Sequence, residues 1–385
     1  MELSNIDYIN ISVFFISVML SIIFLLAWRT IEPKLYTLMW SLLFATAALN
    51  GLINAAKEIF PNNDIYWIIV NATSLLVQWF ALAGFRYRSL HNPFKSSIII
   101  YFICVELLII WFTLISPHMG LKMLFAPISG GITMLACSWE IINIKRKIRP
   151  AEKAMVILLI IYSLVQVSAG YIALMQGAER NEEYLMLYLE INYLIMPASL
   201  TGLGLFTVLI LADDLSSRMR YQANSDQLTS LLNRRGFYQK ANLMEKTARE
   251  KNVPISIIIT DIDHFKQIND SYGHKAGDLV LRKLAAVFQK YISKQDIVAR
   301  IGGEEFVLLL YSKEINEAKI IAEKIRQYAQ ELIMNIDDQN LSVTLSFGIV
   351  ELLAGKSTLE KKLNDADKAL YKAKRLGRNR VEVYE

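Results

Sequence analysis

Two pairs of carboxylates stand where chemistry on a phosphate would need them. Asp261 and Asp263 close the apolar run Ile255-Ser256-Ile257-Ile258-Ile259-Thr260. Glu304 and Glu305 follow Gly302-Gly303, between two further apolar runs. The first run is β-branched, follows Pro254, and predicts a buried strand that ends in its carboxylates. The glycine pair permits a tight hairpin with positive φ, and lets a phosphate approach backbone that carries no Cβ. Asp261 at its strand end and Glu304 at the hairpin turn can then face each other across adjacent strands. Oxygen ligands so placed suit magnesium, which takes further ligands from substrate phosphates. Acidic hairpin residues in solvent are the alternative, and the surrounding sequence bears on the choice.

That surrounding sequence contains four blocks. They are Asp261-Ile262-Asp263-His264-Phe265-Lys266-Gln267-Ile268-Asn269-Asp270, Gly273-His274-Lys275-Ala276-Gly277-Asp278, the hairpin segment from Arg300 to Phe306, and the run from Ala366 to Arg380. Ahead of them stands Asp226-Gln227-Leu228-Thr229, leading to Arg234-Arg235. In this order and spacing they resemble the GGDEF family of diguanylate cyclases, here in the Gly-Gly-Glu-Glu-Phe form, over roughly residues 224–385. The resemblance implies a palm-like nucleotidyl-cyclase sheet flanked by helices. It implies that two GTP condense to cyclic di-GMP and two pyrophosphates, with two Mg2+ (or Mn2+) per active site. By the same resemblance Asp261, the Ile262 carbonyl and Glu304 hold metal. Glu304 accepts the hydroxyl proton, and Glu305 assists as a second catalytic carboxylate. Asn269 and Asp278 match base-binding positions, with His274 beside them. Lys266, Lys374 and Arg378 match phosphate-binding positions, as do the amides around His264 and Phe265. Arg300 fits a structural or phosphate-steering role, and Arg234 and Arg235 are expected to couple a linker helix to the domain. Each domain binds one GTP, so a homodimer is required. One departure is visible: where many members carry Arg-x-x-Asp for inhibitory product binding, this chain has Ser293-Lys294-Gln295-Asp296. Lysine lacks the planar fork of arginine, so Lys294 compensates only in part.

The elements that position these residues alternate in type. Residues 236–251 predict an amphipathic helix with Phe237, Ala241, Met244 and Ala248 on one face. Helices are expected over 277–291, 315–334 and 358–375, and strands over 296–301, 304–311, 342–350 and 379–384. Alternation of this kind argues α/β.

The chain of 385 residues is 54% hydrophobic, with the excess in its first half. Thirteen Lys/Arg and twelve Asp/Glu occur up to Ala212, leaving 28 and 24 thereafter. The surplus in the second half suits a polyanionic nucleotide, or a surface near anionic lipid, and is too small to argue for nucleic acid. Cys104 and Cys137 lie in apolar runs and suggest neither a disulfide framework nor a zinc site. The N-terminus lacks the basic region of a secretory signal. No phosphodiesterase domain is expected after Glu385.

Seven apolar segments, about 8–28, 35–56, 65–85, 98–117, 123–144, 154–175 and 187–212, each approach the ~20 residues that cross a bilayer. Arg29, Lys34, Arg86, Arg88, Lys95, Lys145, Arg146, Lys147, Arg149 and Lys153 follow the first, third and fifth. The positive-inside rule then puts the N-terminus outside and the C-terminus in the cytoplasm. The expected architecture is a seven-helix transmembrane bundle over 1–212 with a sensory role, a helical linker over 213–225, and an α/β GGDEF domain over 226–385. With the resemblance, this makes a multi-pass protein of the bacterial inner membrane whose partners are GTP, a second copy and the lipid bilayer. Val208, Ala212, Leu215, Met219 and Gln222 form a short heptad-like stripe leading out of the last span. Glu106 lies mid-span, where a carboxylate is costly. It is either a signalling group or a protonated carboxyl hydrogen-bonded to a neighbouring helix. Glu140 and Glu190 suit structural roles. Two rival readings are a catalytically silent GTP-binding module and a seven-helix receptor with a regulatory tail.

Overall fold

The computed structural model describes residues 5–31, 34–144, 146–336, 339–352 and 358–384. Lys145 of the basic run, the first four residues and Glu385 lie outside them. The chain divides into two compact units, Met1–Asp214 and Leu215–Glu385.

The first unit is helical: α1 (Asn5–Thr30), α2 (Leu35–Ala55), α3 (Asn63–Arg88), α4 (Ser96–Ile110), α5 (Met119–Ile142), α6 (Pro150–Met175) and α7 (Glu182–Asn224). A π-helical turn, Trp111–Ile115, prolongs α4. Among the described residues seven helices are long and apolar enough to cross a membrane. Proline opens α6 at its first position, where no amide hydrogen is needed. The interior gathers Phe24, Trp40, Phe44 and Phe85, all fully buried. Large apolar side chains such as Phe15, Leu26, Ile103, Leu107, Ile161 and Leu164 stay exposed on α1, α4 and α6.

Charge collects where α3, α5 and α6 meet the last residues of this unit. Arg86 Nη1 lies 2.6 Å from Glu140 Oε1, and His91 Nδ1 lies 2.6 Å from its Oε2. Arg88 reaches Glu152 at 2.6 Å and Asp214 at 2.9 Å. Arg149 contacts both Asp213 and Asp214 at 3.0 Å. Glu140 is thus structural, as its place near the span end suggested. Glu106 differs from one of its two expectations. Its carboxyl oxygens are shielded and have no hydrogen-bond partner, so no neighbouring helix satisfies them.

The second unit holds α8 (Arg234–Lys251), β1 (Ile255–Ile262), α9 (Phe265–Tyr272), α10 (His274–Tyr291), β2 (Ile297–Arg300), β3 (Glu305–Tyr311), α11 (Ile315–Glu331), β4 (Met334–Ile336), β5 (Gln339–Leu341), β6 (Leu345–Leu352), α12 (Leu359–Arg375) and β7 (Val381–Val383). The main sheet runs β2-β3-β1-β6-β7. It is mixed: β1 pairs antiparallel with β3 and β6, whereas β7 runs parallel to β6. Every residue of central β1 is buried. Successive side chains of a strand point to opposite faces. Ile257 and Ile259 therefore pack with Phe237, Ala241 and Met244 of α8 and Leu363 of α12. Ile258 and Ile262 pack with Leu284 of α10 and Ala322 of α11. The face expected for α8 is the one buried.

Three element expectations change. α11 stops at Glu331, and a small β4–β5 hairpin follows in place of its expected last turn. α9 was not read from sequence, because eight residues are too few for a clear period. β3 begins at Glu305, which leaves Glu304 in the turn.

Candidate active site

The site forms where β1 ends beside the β2–β3 hairpin. Asp261 pairs in register with Glu305 on one side and with Ser346 on the other. Glu304 sits one residue further into the turn. The two glycines do not take the positive φ expected of them: among the described residues positive-φ glycines are Gly177, Gly273 and Gly377. Their reason is room. A Cβ on Gly302 would strike the Glu305 carboxylate, whereas one on Gly303 would meet open space. Gly302 thus lets Glu305 fold back over the turn, and Gly303 leaves bare backbone for an incoming group. Arg300 fixes the turn from below: its Nε and Nη2 donate to Gly303 O at 3.0 and 2.7 Å. Its Nη1 reaches Asp226 at 3.1 Å. The role of Arg300 here is structural, joining the domain's opening motif to the hairpin.

Burial pushes the Asp261 carboxyl above its usual range, Lys374 pulls it down, and Asp263 pushes it up again. Lys374 Nζ lies 2.8 Å from Asp261 Oδ2. Burial also raises Glu304, with further upward pushes from Asp261 and Glu305 against Lys374. Two neighbouring carboxylates thus raise Glu304, and the Lys374 ammonium offsets them only in part. Among the described residues no three His, Cys, Asp or Glu side chains gather as a metal cluster. The carboxylates of Asp261 and Glu304 are oxygen donors of the kind a hard divalent cation takes alongside water and phosphate.

The remaining candidates come from α9, α10 and α12. His264 caps α9 in a left-handed conformation, φ 57°, and the first-turn amides of a helix have no partner within it. Lys266 is exposed. Asn269 Oδ1 lies so close to Gly277 that a Cβ there would collide with it. This brings Asn269 to the first turn of α10, next to Asp278, with both half-buried and His274 exposed. Lys374 ends α12, and Arg378 follows in a left-handed turn, φ 61°, close enough to act on Asp261.

Sequence reasoning gave no role to Asp263. Its carboxylate accepts from Thr344 Oγ1 at 2.8 Å, Ser346 Oγ at 2.7 Å and the Asn379 amide at 3.0 Å. It pins the turn that carries Arg378 to the end of β1. The available signal was its spacing of two from Asp261, just past the end of a buried strand, where a buried acid must find donors. Polar contacts to the end of α7 are made by Asn233 and by Gln239, whose Oε1 accepts from Asn224 Nδ2 at 2.9 Å. Asn233 Nδ2 donates to Ala223 O at 2.9 Å and Ser225 O at 3.2 Å. Asp296 is also committed internally. Its side chain is fully buried, takes Lys313 Nζ at 2.8 Å, and accepts the amides of Ser293 and Tyr311.

Residues 223–380 match the family described as "Diguanylate cyclase, GGDEF domain". A "Diguanylate cyclase" of Vibrio cholerae serotype O1 is 39% identical over 172 residues, 44% of this chain and 53% of that protein. "Diguanylate cyclase DosC" of Escherichia coli K12 is 36% identical over 167 residues, 43% of this chain and 36% of that protein. The chain thus spans about a third to a half of the length of these curated relatives. The crystal structure of the GGDEF domain of DgcB from Caulobacter crescentus, in complex with c-di-GMP, shares 34% identity. It covers 42% of this chain and 94% of its own, with a TM-score of 0.41. Residues 1–222 lie outside the family match. Residues 223–380 of this chain are thus a GGDEF domain, with diguanylate cyclases among its relatives.

Proposed function

We propose that this protein is a membrane-bound diguanylate cyclase, regulated through its helical unit. Two GTP yield cyclic di-GMP and two pyrophosphates. In each of two half-reactions a 3′-hydroxyl attacks an α-phosphorus, a P–O bond forms, and the bond to pyrophosphate breaks. Bound Mg2+ or Mn2+, two per site, would supply charge stabilisation of the phosphoryl oxygens. Asp261, the Ile262 carbonyl and Glu304 would hold it. Glu304 takes the hydroxyl proton, with Glu305 beside it. Asn269 and Asp278 read the guanine edge, with His274 at its border. Lys266, Lys374 and Arg378 balance phosphate charge. One domain presents one GTP, so two copies must face each other.

The observation that carries this reading is the register of Asp261 against Glu305, with Glu304 in the adjoining turn. The membrane assignment rests on the seven apolar helices and their exposed apolar faces. The basic residues Arg86, Arg88, Arg146 and Arg149 mark the cytoplasmic end. The test is nucleotide product analysis of the purified full-length protein with GTP and magnesium. Cyclic di-GMP formation, lost on Glu304→Gln, is the expected result. GTP binding without product in the unaltered protein would favour the silent-module reading.

A further inference from the structure

The helical unit holds a partly open cavity of about 910 Å³, within the size range of small-molecule sites. Its deep wall is polar without being charged. Asn50, Asn54, Asn71, Gln78, Gln166 and Asn192 line it. Several of these amides are held in place. Tyr66 OH donates to Asn54 Oδ1 at 2.9 Å, and Asn54 Nδ2 donates to Asn50 Oδ1 at 3.0 Å. Asn50 Nδ2 donates to Thr73 Oγ1 at 2.7 Å. Gln78 is fixed at both ends, by Ser129 Oγ at 2.8 Å and Ala126 O at 3.1 Å. Amides buried in apolar helices are costly unless satisfied, so a chain of them around an open space calls for an explanation.

The charged lining residues all lie at one end. Lys57 and Glu58 follow α2, Lys122 opens α5, and Arg180 and Glu182 precede or begin α7. Four of the five are partnered there: Arg180 with Glu182 at 2.9 Å, Lys122 with Asp64 at 3.9 Å, and Lys57 over the Tyr66 ring. This end is opposite the Arg86–Glu140 end of α3 and α5, so it faces outside in the topology proposed above. One wall is a single helical stripe of α7, through Leu185, Tyr188, Asn192 and Leu203. Aromatic rings of Trp67, Tyr162 and Tyr193 complete the lining.

We infer that this cavity binds a small neutral molecule with a planar body and hydrogen-bonding edges, admitted from the outer side. Amides and phenols satisfy its polar edge, and rings cover its faces. A net charge is disfavoured because no counter-charge lies below the rim. The inference rests on the sensory membrane reading of this unit and names the class of signal.

The test uses full-length protein in detergent, with 4-hydroxybenzamide as the probe. 4-Hydroxybenzoate is the charged control and toluene the apolar one. Thermal unfolding and tryptophan fluorescence are the readouts. Gly130→Leu fills the cavity, since a Cβ at Gly130 points at Gln78 Nε2 (3.4 Å) and Gln166 Oε1 (3.6 Å). Gln166→Leu removes an amide at similar volume. The expected result is a rise in Tm of about 2–5 °C at millimolar 4-hydroxybenzamide. Neither control should reproduce it, and at least one variant that unfolds like wild type without probe should abolish it. Three outcomes overturn the inference: no shift in wild type, an equal shift with toluene, or an undiminished shift in both variants. GTP turnover, measured on the same samples, separates this from the cyclase assignment. Loss of product with the probe shift intact sinks the latter alone.

Discussion

Lys374 Nζ rests 2.8 Å from Asp261 Oδ2, so a phosphate-binding candidate sits on a metal-binding one. The ammonium partly offsets the cost of burying Asp261 and lowers a carboxyl that burial raises. The pair ties the last turn of α12 to the end of β1.

The chemistry predicts a sharp loss on isosteric substitution. Asp261→Asn or Glu304→Gln should lower cyclic di-GMP formation by about 10³-fold or more, several kcal/mol of transition-state stabilisation. Circular dichroism and Tm should stay near wild type in Glu304→Gln, since the half-exposed hairpin turn is not core, whereas buried Asp261 is ion-paired with Lys374 and its variant is compared at equal folded fraction. Turnover above half of wild type in either variant would refute the assignment.

Product feedback through the Ser293–Asp296 segment should be weak or absent. Asp296 is buried and spends its oxygens on Lys313 and two amides, and Ser293 stands where an arginine would grip a nucleotide. Asp296→Ala should therefore act on stability, costing about 2–4 kcal/mol through the stranded amides and lysine. Urea titration gives that value. Progress curves with added cyclic di-GMP give the other: low-micromolar inhibition relieved by Asp296→Ala contradicts the structure.

Much of the second unit was legible because its signals are local and repeated. The Ile-rich run at 255–259 has one compatible fate, a strand buried on both faces. The α8 stripe likewise names its own face. Of the two reasons read for the glycine pair, positive φ does not hold, whereas the missing Cβ does leave open space at Gly303. Sequence shows that Gly302 lacks a Cβ, not that Glu305 needs the space. Asp263 was missed for a related cause: its partners Thr344, Ser346 and Asn379 are more than eighty residues away in sequence. In the first unit helix lengths were readable from hydropathy. The Arg88–Glu152–Asp214 network joins three helices, and hydropathy has no information about pairing.

Acid should loosen the motif that opens the second unit. Burial alone would raise Asp226, but hydrogen bonds from Thr229 and the Arg300 ion pair outweigh it and hold its pKa below the ordinary value. A depressed folded pKa gives stability that is present above the unfolded value, about 3.9, and is lost as pH falls through the folded one. Asp226→Asn should therefore be less stable than wild type near neutrality. The gap should close as pH drops below about 4. Urea midpoints across that window test this, and a gap that is constant with pH would assign the effect to packing.

Glu106 carries a shielded carboxyl with no partner. Such a group costs stability wherever it is kept. Glu106→Leu should thus hold or raise the Tm of the full-length protein. If the residue serves signalling, the same change alters cyclase output at matched expression. A drop in Tm with unchanged output would mark it as structural.

Arg88 offers the strongest stability test in the helical unit. Its side chain is 5% exposed and bridges Glu152, 2% exposed, and Asp214. Arg146 adds a second guanidinium to Glu152. Breaking a buried pair by removing one partner strands the other charge, at about 3–5 kcal/mol. Arg88→Met keeps the volume of the stem and deletes the charge, so the loss reads as electrostatics. Glu152 retains Arg146, whereas Asp214 retains only Arg149 among the ion pairs described. The expected outcome is a lower Tm in Arg88→Met, partly restored by adding Asp214→Asn, which removes the stranded carboxylate. Additive losses in the double variant would show that the two residues stabilise the unit independently.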